Sequence, residues 1–322
     1  MTWTKLHEAC KHGNVEDIIS LAKHSDDCFQ TDDHYSTPLH VMCLVNPDSR
    51  ALIALVEANP KALTDQDVHG DTPVHLLCRH RNQTKQVVEF VIKAATHALA
   101  IPNKHGYLPL HVLCTCDPCN SSVIALLVQT NPSALHRQVK MGQLVARRSH
   151  KENKPDHRFD PSGGLTSCDS VDLRLMQHND FERNGCYPLH MAICYGGSVQ
   201  VIKVLVLGSQ AETLLYRDKE GQTPLLVALN YRMDEPDIIE FLVSANAKAL
   251  HIPDKKGNLP IHVAAVKGAN KAIFQSLWKG WPGSVNECDA SGSRASDLAL
   301  SHGLCSIQVT QFLSKHANVE AT

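Results

Sequence analysis

The sequence predicts an all-α repeat solenoid of about eight helix-turn-helix units joined by short, hairpin-like loops. Three observations support this prediction. A four-residue phrase recurs at a nearly constant interval, a Gly stands at a constant distance before most copies, and an apolar stretch with helical periodicity follows each copy. Self-similarity of this period is typical of stacked units that bury their apolar faces only against neighbouring units.

The recurring phrase has the form Thr-Pro-Leu-His. Its Pro position falls at residues 5, 38, 73, 109, 188, 224, 260 and 295, with Lys5 and Ala295 in place of Pro at the two ends. The successive intervals are 33, 35, 36, 79, 36, 36 and 35 residues. Thr before Pro predicts a helix start, because Thr caps first-turn amides and Pro has no N–H to leave unpaired.

The residues around the phrase predict two turns and a second helix. Gly precedes the Pro position by three residues in six copies, with Tyr35 as an exception, and a polar residue, mostly Asp, stands three residues earlier. This spacing predicts a tight turn with a positive φ angle. At the eighth residue after the Pro position, Gly or Asn is typical of a helix end. Two copies have Arg81 and Arg232 at this position, which suits Arg poorly. The apolar stretches that keep i, i+3, i+4 spacing and predict the longer helix are Val15–Leu21, Leu52–Val56, Val87–Ile92, Val123–Val128, Val199–Leu207, Ile238–Val243 and Ile273–Trp278.

The pattern Asp-x-x-Gly-x-Thr-Pro-Leu-His, followed by a small apolar run and Gly, resembles the ankyrin repeat. Two departures from the family pattern make this sequence similar to a divergent ankyrin subtype. Leu or Tyr replaces Thr before Pro in three copies, and an Asn-Pro-x-Ala-Leu phrase, as at Asn59–Leu63 and Asn131–Leu135, replaces the family's Gly-Ala-Asp. The resemblance implies that the phrase histidines hydrogen-bond within the loop and the first helix; these are His7, His40, His75, His111, His190 and His262.

The one long interval divides the array. We predict ankyrin repeats 1 to 4 over residues 1–136, an inserted loop over 137–182, and repeats 5 to 8 over 183–322. Repeats 1 and 8 are expected to be the caps of a complete array, since terminal repeats face water. The insertion is open to three interpretations: a disordered linker, an ordered recognition finger, or a basic nuclear-import signal around Arg147 and Arg148.

Composition narrows the class of protein. The 322 residues carry a net charge of −2, and 12 Cys in a chain of this length do not suggest a small disulfide scaffold. The N-terminus lacks the apolar segment of a signal peptide, and no apolar run approaches the roughly 18 residues that span a bilayer. We therefore expect an intracellular, cytoplasmic protein with reduced thiols, with the nucleus as the alternative compartment.

Catalytic and metal chemistry find little support. The sequence has no Gly-x-Ser-x-Gly elbow, no phosphate-binding glycine loop and no His-Glu-x-x-His helix. We expect that the protein binds no cofactor and is not an enzyme. An active site within the insertion is the weaker alternative. His111, Cys114, Cys116 and Cys119 form a weak zinc candidate, against which Cys114 recurs with Cys10, Cys43 and Cys78 at one core position. A surface thiol at Cys116 or Cys119 is the preferred interpretation.

The family resemblance implies a partner protein bound along the hairpin tips and the exposed side of the short helices. The residues expected there hold eight Lys or Arg and three acids, whereas the whole chain has 31 and 33. We predict a non-catalytic scaffold or adaptor whose partner presents an acidic or phosphorylated segment. The protein is expected to be a monomer that does not insert into a membrane. A nucleic-acid-associated regulator is the alternative function, and a non-covalent link to a larger receptor or channel system is a further one. The predicted binding residues are Arg79, His80, Lys104, His105, Tyr107, Arg183, Tyr195, Lys219, Tyr231, Lys255, Lys256 and Lys267.

Overall fold

A computed structural model of the chain describes residues 3–24, 26–45, 47–80, 85–139 and 185–317. Within these residues there are sixteen α-helices, seven short 3-10 helices and no strand, apart from an isolated bridge between Cys288 and Arg294. The predicted all-α repeat solenoid is therefore confirmed. The predicted insertion lies outside the described residues except at 137–139, and its boundaries stay a prediction.

The described residues belong to two compact units. The first contains the described residues up to 80 together with 90–112 and 138–139, and the second contains 85–89, 113–137 and 185–317. Helices α1 to α5 lie in the first unit, while α6 and α7 contribute residues to both. Their bounds are α1 Lys5–His12, α2 Val15–His24, α3 Pro38–Val45, α4 Ser49–Ala58, α5 Pro73–Arg79, α6 Lys85–Ala94 and α7 Pro109–Cys116.

The second unit continues the same alternation of short and longer helices. Its helices are α8 Ser121–Thr130, α9 Pro188–Cys194, α10 Val199–Gly208, α11 Pro224–Tyr231, α12 Pro236–Ala245, α13 Pro260–Lys267, α14 Lys271–Gly280, α15 Ala295–His302 and α16 Ile307–Ala317. The 3-10 helices, each after a longer helix, are Asp26–Phe29, Pro60–Thr64, Thr96–Ala100, Pro132–His136, Glu212–Leu215, Ala247–His251 and Pro282–Asn286.

Each unit consists of two helix layers. In the first unit α3 packs between α1 and α5, and α2 packs on α4. In the second unit α9, α11, α13 and α15 pack in succession, while α8 packs on α10 and α12 on α14. Short helices thus stack on short helices and longer ones on longer ones, which is the packing expected of a repeat array.

The recurring cysteines are core residues, as the sequence predicts. Cys10, Cys43, Cys78 and Cys114 are at most 2% exposed. Burial raises the pKa of the Cys10 thiol to about 12, so this side chain stays a neutral, unreactive hydrophobe at physiological pH.

The short helices begin with the predicted caps. Thr4 and His7 form a reciprocal capping box, as do Thr72 and His75. Where Leu108 or Leu259 replaces Thr, no side-chain oxygen is present to cap the helix. In those copies the backbone N–H of the Leu donates to Nδ1 of the phrase histidine at 3.1 Å. The histidine therefore supplies the cap interaction in these two copies, whereas in the copy with Tyr187 the Nδ1 atom of His190 has no hydrogen-bond partner among the described residues.

The phrase histidines also join successive repeats, beyond the hydrogen bonds expected within their own repeat. His75 accepts the Thr72 N–H at Nδ1, which places the proton of the neutral ring on Nε2, and Nε2 then donates to the Tyr107 carbonyl at 2.9 Å. The corresponding Nε2 partners are Ser36 O for His7, Asp65 O and Asp71 O for His40, Gln222 O for His190, and Glu287 O for His262. These histidines are at most 1% exposed.

Tight turns bring neighbouring hairpins together. Asp67 Oδ1 accepts the N–H groups of His69 and Asp71 at 2.7 and 2.9 Å, and Gly70 has φ of +76°. A Cβ at Gly70 would lie 2.7 Å from the backbone nitrogen of Lys104, which donates to the His69 carbonyl. Only Gly fits a positive φ at so close an approach.

Arg232 occupies its helix end for a structural reason. It does not adopt the left-handed conformation typical of this position. Instead its guanidinium donates to the Ile193 and Gly197 carbonyls of the preceding repeat at 3.1 and 3.2 Å, and it pairs with Glu235. The residue that suited the turn poorly in the sequence therefore links two repeats. Arg81 lies outside the described residues.

Replacing His75 by Ala should destabilise the protein substantially. The N–H and the hydroxyl of the fully buried Thr72 would both lose their hydrogen bond to His75 Nδ1, and each unpaired buried group costs about 1–3 kcal/mol. We expect the free energy of unfolding to fall by about 2–4 kcal/mol in urea titrations followed by circular dichroism. His97→Ala, at an exposed position in the same unit, should change it by less than about 0.5 kcal/mol. Equal losses in the two variants would contradict a linking role for His75.

Stability should also fall as the solution is acidified. Burial lowers the pKa of His7, His40, His75 and His190 in the folded chain. The unfolded chain, whose histidines have a pKa near 6.5, therefore binds more protons below that pH. The contribution of these histidines to stability is fully present above about pH 6.5 and is lost as the pH falls towards their lowered pKa values in the folded state. Urea midpoints measured between about pH 8 and pH 5.5 should show this loss. His75→Gln, which removes one titrating ring, should give a shallower pH dependence, and a midpoint independent of pH would contradict the prediction.

Candidate functional site

In each of the two units, described residues of the hairpin loops and the short helices line a groove. The first groove, about 450 Å³ in volume, is lined by residues that include Trp3, Lys11, His34, Val41 and Arg79. The second groove, about 360 Å³, is lined by Glu220, Gln222, Asn230, Asp254, Lys255, Lys256, Asn258, Val263, Val266 and Lys267. Both grooves lie on the surface for which the sequence predicted partner binding.

The floor of both grooves is apolar and was not included in the sequence prediction. Val41 and Leu76 in the first groove and Val263 in the second all stand three residues after the Pro position. The sequence analysis chose positions six and seven after Pro as the exposed side of the short helix. Position three lies one helical turn before these and shares their face, so helical periodicity was the signal that could have identified it.

The cation Arg79 in the first groove is held by a structural ion pair. Its Nη2 lies 2.5 Å from Oδ2 of Asp71, whose side chain is fully buried, and Asn103 Nδ2 donates to the other carboxylate oxygen at 2.7 Å. Burial raises the pKa of the Asp71 carboxyl, but the positive charge of Arg79, with smaller contributions from His75 and Asn103, outweighs burial and holds the pKa below its usual value. Arg79 therefore stabilises the fold. Asp71, which is one of the three acids counted in the predicted binding surface, is buried.

The second groove carries three exposed ammonium groups. Lys255 and Lys256 lie at a hairpin tip and Lys267 at the end of α13, and none of them makes an ion pair with another described residue. Asp254, the acid beside them, is engaged in its turn, since its Oδ1 accepts the N–H groups of Lys256 and Asn258 at 2.8 and 2.9 Å. Positive charge therefore dominates the open part of this groove, with Glu220 as an exposed acid at its edge.

The other predicted binding residues differ in how exposed they are. Tyr231 is 62% exposed on α11, and Lys104 is exposed with its Nζ donating to the Val68 carbonyl. His80 and His105 are half-buried, with His80 Nε2 bonded to the Leu44 carbonyl, and Tyr195 and Lys219 are also half-buried. Tyr107 was predicted as an exposed interface anchor, but it is 5% exposed because its ring packs beside those of His105 and His111. Arg183 lies outside the described residues.

The four residues of the weak zinc candidate have different environments. His111 and Cys114 are fully buried, Cys116 is 2% exposed and Cys119 is exposed. His111 Nδ1 accepts the Leu108 N–H, and the Cys119 thiol donates to the Gly196 carbonyl at 3.6 Å. The described ranges contain no group of three or more His, Cys, Asp or Glu side chains placed to hold a metal ion. The prediction of a surface thiol is wrong for Cys116, whose side chain faces the core, and holds for Cys119.

Comparison with known proteins finds sequence and structural similarity to ankyrin-repeat proteins. The family model for ankyrin repeats (three copies) matches residues 165–254, a range that begins inside the predicted insertion. Human Rabankyrin-5 is 30% identical over 140 residues, which are 43% of this chain and 11% of that protein, so the chain spans a small part of this relative. The ankyrin repeat domain of Bcl-3, a member of the IkappaB protein family, matches in structure with a TM-score of 0.56 and 18% identity, covering 85% of this chain and 97% of that one.

The longest described helix, α16, has 11 residues. Among the described helices none has the length and hydrophobicity needed to cross a membrane.

Replacing Arg79 by Ala should destabilise the fold, because the Asp71 carboxylate would stay buried without its cation. Removing one partner of a buried ion pair costs about 3–5 kcal/mol, and we expect about 2–4 kcal/mol here because the Arg79 side chain is 24% exposed. Arg50→Ala is the matched control, since its ion pair with Glu16 is 63% and 78% exposed and should contribute less than about 1 kcal/mol. Urea titration measures the free energy of unfolding of both variants. An unchanged value for Arg79→Ala would contradict the structural role of this ion pair and leave Arg79 as a candidate binding residue.

Proposed function

Because this chain is an ankyrin-repeat protein, we propose that it is a non-catalytic adaptor that binds an acidic or phosphorylated segment of a partner protein in the second groove. Ankyrin repeats are in general protein–protein interaction modules. The observation that carries the proposal is the set of three exposed lysines, Lys255, Lys256 and Lys267, around one groove.

The chemistry of the groove supports an extended anionic occupant. The side-chain amides of Gln222, Asn230 and Asn258 line it together with the lysines, and they can donate hydrogen bonds to carboxylate or phosphate oxygens. The apolar floor at Val263, together with Val266 in the same lining, accommodates a neighbouring aliphatic side chain. An acidic segment that carries an apolar residue therefore matches both the rim and the floor of the groove.

The distribution of cations supports this groove over the first one. In the first groove Arg79 is neutralised by Asp71, and Lys11 lies 6.0 Å from the centre of the Trp3 ring with the acid Asp33 also in the lining. In the second groove the three lysines have no ion-pair partner among the described residues. An anionic partner gains most where cations are not already paired.

Nucleic acid is the alternative occupant of a positively charged groove. Proteins that bind single strands without sequence preference stack bases on several aromatic side chains along the groove. No aromatic residue lines the second groove. We therefore propose a protein segment as the ligand and make nucleic-acid binding an outcome of the test.

Reversing the charge of Lys255 and Lys256 should strongly weaken the binding of acidic segments. The probe is an immobilised peptide library graded in net charge, with phosphorylated and unphosphorylated Ser versions of each peptide. We expect the intact chain to retain acidic peptides, to lose them as salt rises from low to physiological levels, and to bind them at least about tenfold more weakly as Lys255→Glu/Lys256→Glu.

The matched control is Lys271→Glu/Lys279→Glu. These two lysines are exposed on α14 of the same repeat and do not line the groove, so the same change in net charge should leave binding intact. Equal loss in both double variants would indicate a general charge effect and contradict the groove proposal. Retention of mixed oligonucleotides, lost only in the groove variant, would favour the nucleic-acid alternative.

A further inference from the structure

The hairpin loop before α3 carries an aromatic residue at a strained backbone position. Tyr35 has φ of +59° and is 54% exposed. Six other hairpin loops have a Gly with positive φ at this position: Gly70, Gly106, Gly185, Gly221, Gly257 and Gly292. A bulky residue is disfavoured in the left-handed region, and residues strained in this way cluster at functional sites. The geometry of the turn therefore does not explain why Tyr stands here.

The fold makes no use of the Tyr35 side chain. It forms no hydrogen bond, ring contact or ion pair with another residue in the described ranges. Its neighbours in the chain, His34 and Ser36, line the first groove, so Tyr35 lies at the rim of that groove. An exposed ring at the rim of a groove is suited to contact a partner, because Tyr and Trp are typical anchors of interfaces.

A second exposed aromatic side chain, Trp3, belongs to the lining of the same groove. It is 44% exposed, and its Nε1 donates to Glu8 Oε2 at 2.5 Å. The ammonium group of Lys11 lies 6.0 Å from the centre of the Trp3 ring, which is within the range of a cation–π interaction. This ring therefore already attracts a cation of its own chain.

Negative charge prevails over unpaired positive charge in the lining of the first groove. Three acids contribute to it: Asp32, Asp33 and Asp67. Asp33 is exposed, while Asp32 and Asp67 are buried in their turns and form no ion pair with another described residue. Of the two cations in the lining, Arg79 is neutralised by Asp71 and Lys11 remains. The first groove is therefore opposite in charge to the second.

The apolar floor of the first groove suits a long basic side chain. Val41 and Leu76 form this floor, with Leu44 in the same lining. Lys and Arg pack their aliphatic stems along apolar surface and keep their charged heads at a polar edge. Aromatic rings and carboxylates both attract such heads. The floor and the rim together thus match a Lys or Arg side chain.

We infer that the first groove binds a basic segment of a partner protein. A Lys or Arg of that segment packs its stem on Val41 and places its charged head against the Trp3 ring, the Tyr35 ring and the Asp33 carboxylate. This inference goes beyond the proposed function, because it gives the two grooves ligands of opposite charge. The chain then recognises a basic segment through one groove and an acidic segment through the other.

Fluorescence anisotropy of labelled synthetic peptides tests the inference. The probes are short peptides that combine Lys or Arg with Leu, Gly and Ser, and their neutral counterparts contain acetyl-lysine or citrulline instead. We expect the full chain to bind the cationic peptides, more weakly as salt rises, and to bind the neutral counterparts at least about tenfold more weakly.

Tyr35→Gly separates binding from folding. It introduces the residue that six other hairpin loops have at this position, so the thermal midpoint should stay unchanged or rise. Affinity for the cationic peptides should nevertheless fall at least about fivefold, because an interface anchor is lost. Phe29→Ala is the matched control, since Phe29 is 61% exposed in the same unit and does not line the groove. This control should leave the affinity unchanged.

Two changes of charge should act in opposite directions. Asp33→Lys should weaken binding of the cationic peptides at least about tenfold. Lys11→Gln removes the cation that competes for the Trp3 ring and should strengthen binding about twofold or more. Asp26→Lys is the control for the change in net charge, because Asp26 is exposed in the same unit and does not line the groove.

A chain that binds none of the cationic peptides would overturn the inference. So would unchanged affinity in Tyr35→Gly or Asp33→Lys, an equal loss in either control variant, or weaker binding by Lys11→Gln. Equal binding of the neutral counterparts would show that the groove takes an apolar segment, which contradicts recognition by charge. Lys255→Glu/Lys256→Glu should bind the cationic peptides normally, so this inference and the proposed function can fail independently.

Discussion

The hydrogen bonds of the phrase histidines are the interaction on which the rest of the structure depends. Five of these rings accept at Nδ1 the amide at the start of their own short helix, and two of these five lie in copies where Leu replaces the capping Thr. Five of the described rings donate from Nε2 to a carbonyl of the following repeat. One neutral, buried side chain thereby sets both the beginning of a helix and the distance to the next unit. Because a solenoid has only nearest-neighbour contacts, an interaction that recurs at several junctions determines how the repeats on either side of those junctions stack.

Close stacking then decides which residues remain available for a partner. Where hairpins approach as closely as Gly70 and Lys104, the turn carboxylates and the backbone amides are already bonded to each other. The side chains left over are those at hairpin tips and along one face of each short helix, which form the grooves. The proposed binding surface therefore consists of side chains that repeat packing leaves exposed, and the residues that line it differ between the two grooves.

Basic residues illustrate how similar side chains acquire different roles. Arg79 and Arg232 bond to buried acceptors, one to Asp71 and the other to two carbonyls of the preceding repeat, and both contribute to the fold. Lys255, Lys256 and Lys267 have flexible stems that end in water and no ion-pair partner within the described chain. A planar guanidinium bonds several fixed acceptors at once, whereas an exposed ammonium keeps its charge available. This difference supports assigning recognition to the lysines.

The sequence by itself determined the repeat, the helix starts, the Gly turns and the cysteine core, because these depend on local backbone conformation and on apolar spacing along one chain. It also indicated the surface on which the grooves lie. Tertiary structure decided which members of that surface are free: Tyr107 and Cys116 are buried, Arg79 is paired with Asp71, and Val41, Leu76 and Val263 form groove floors. Burial and charge pairing arise from residues of neighbouring repeats that no local pattern specifies.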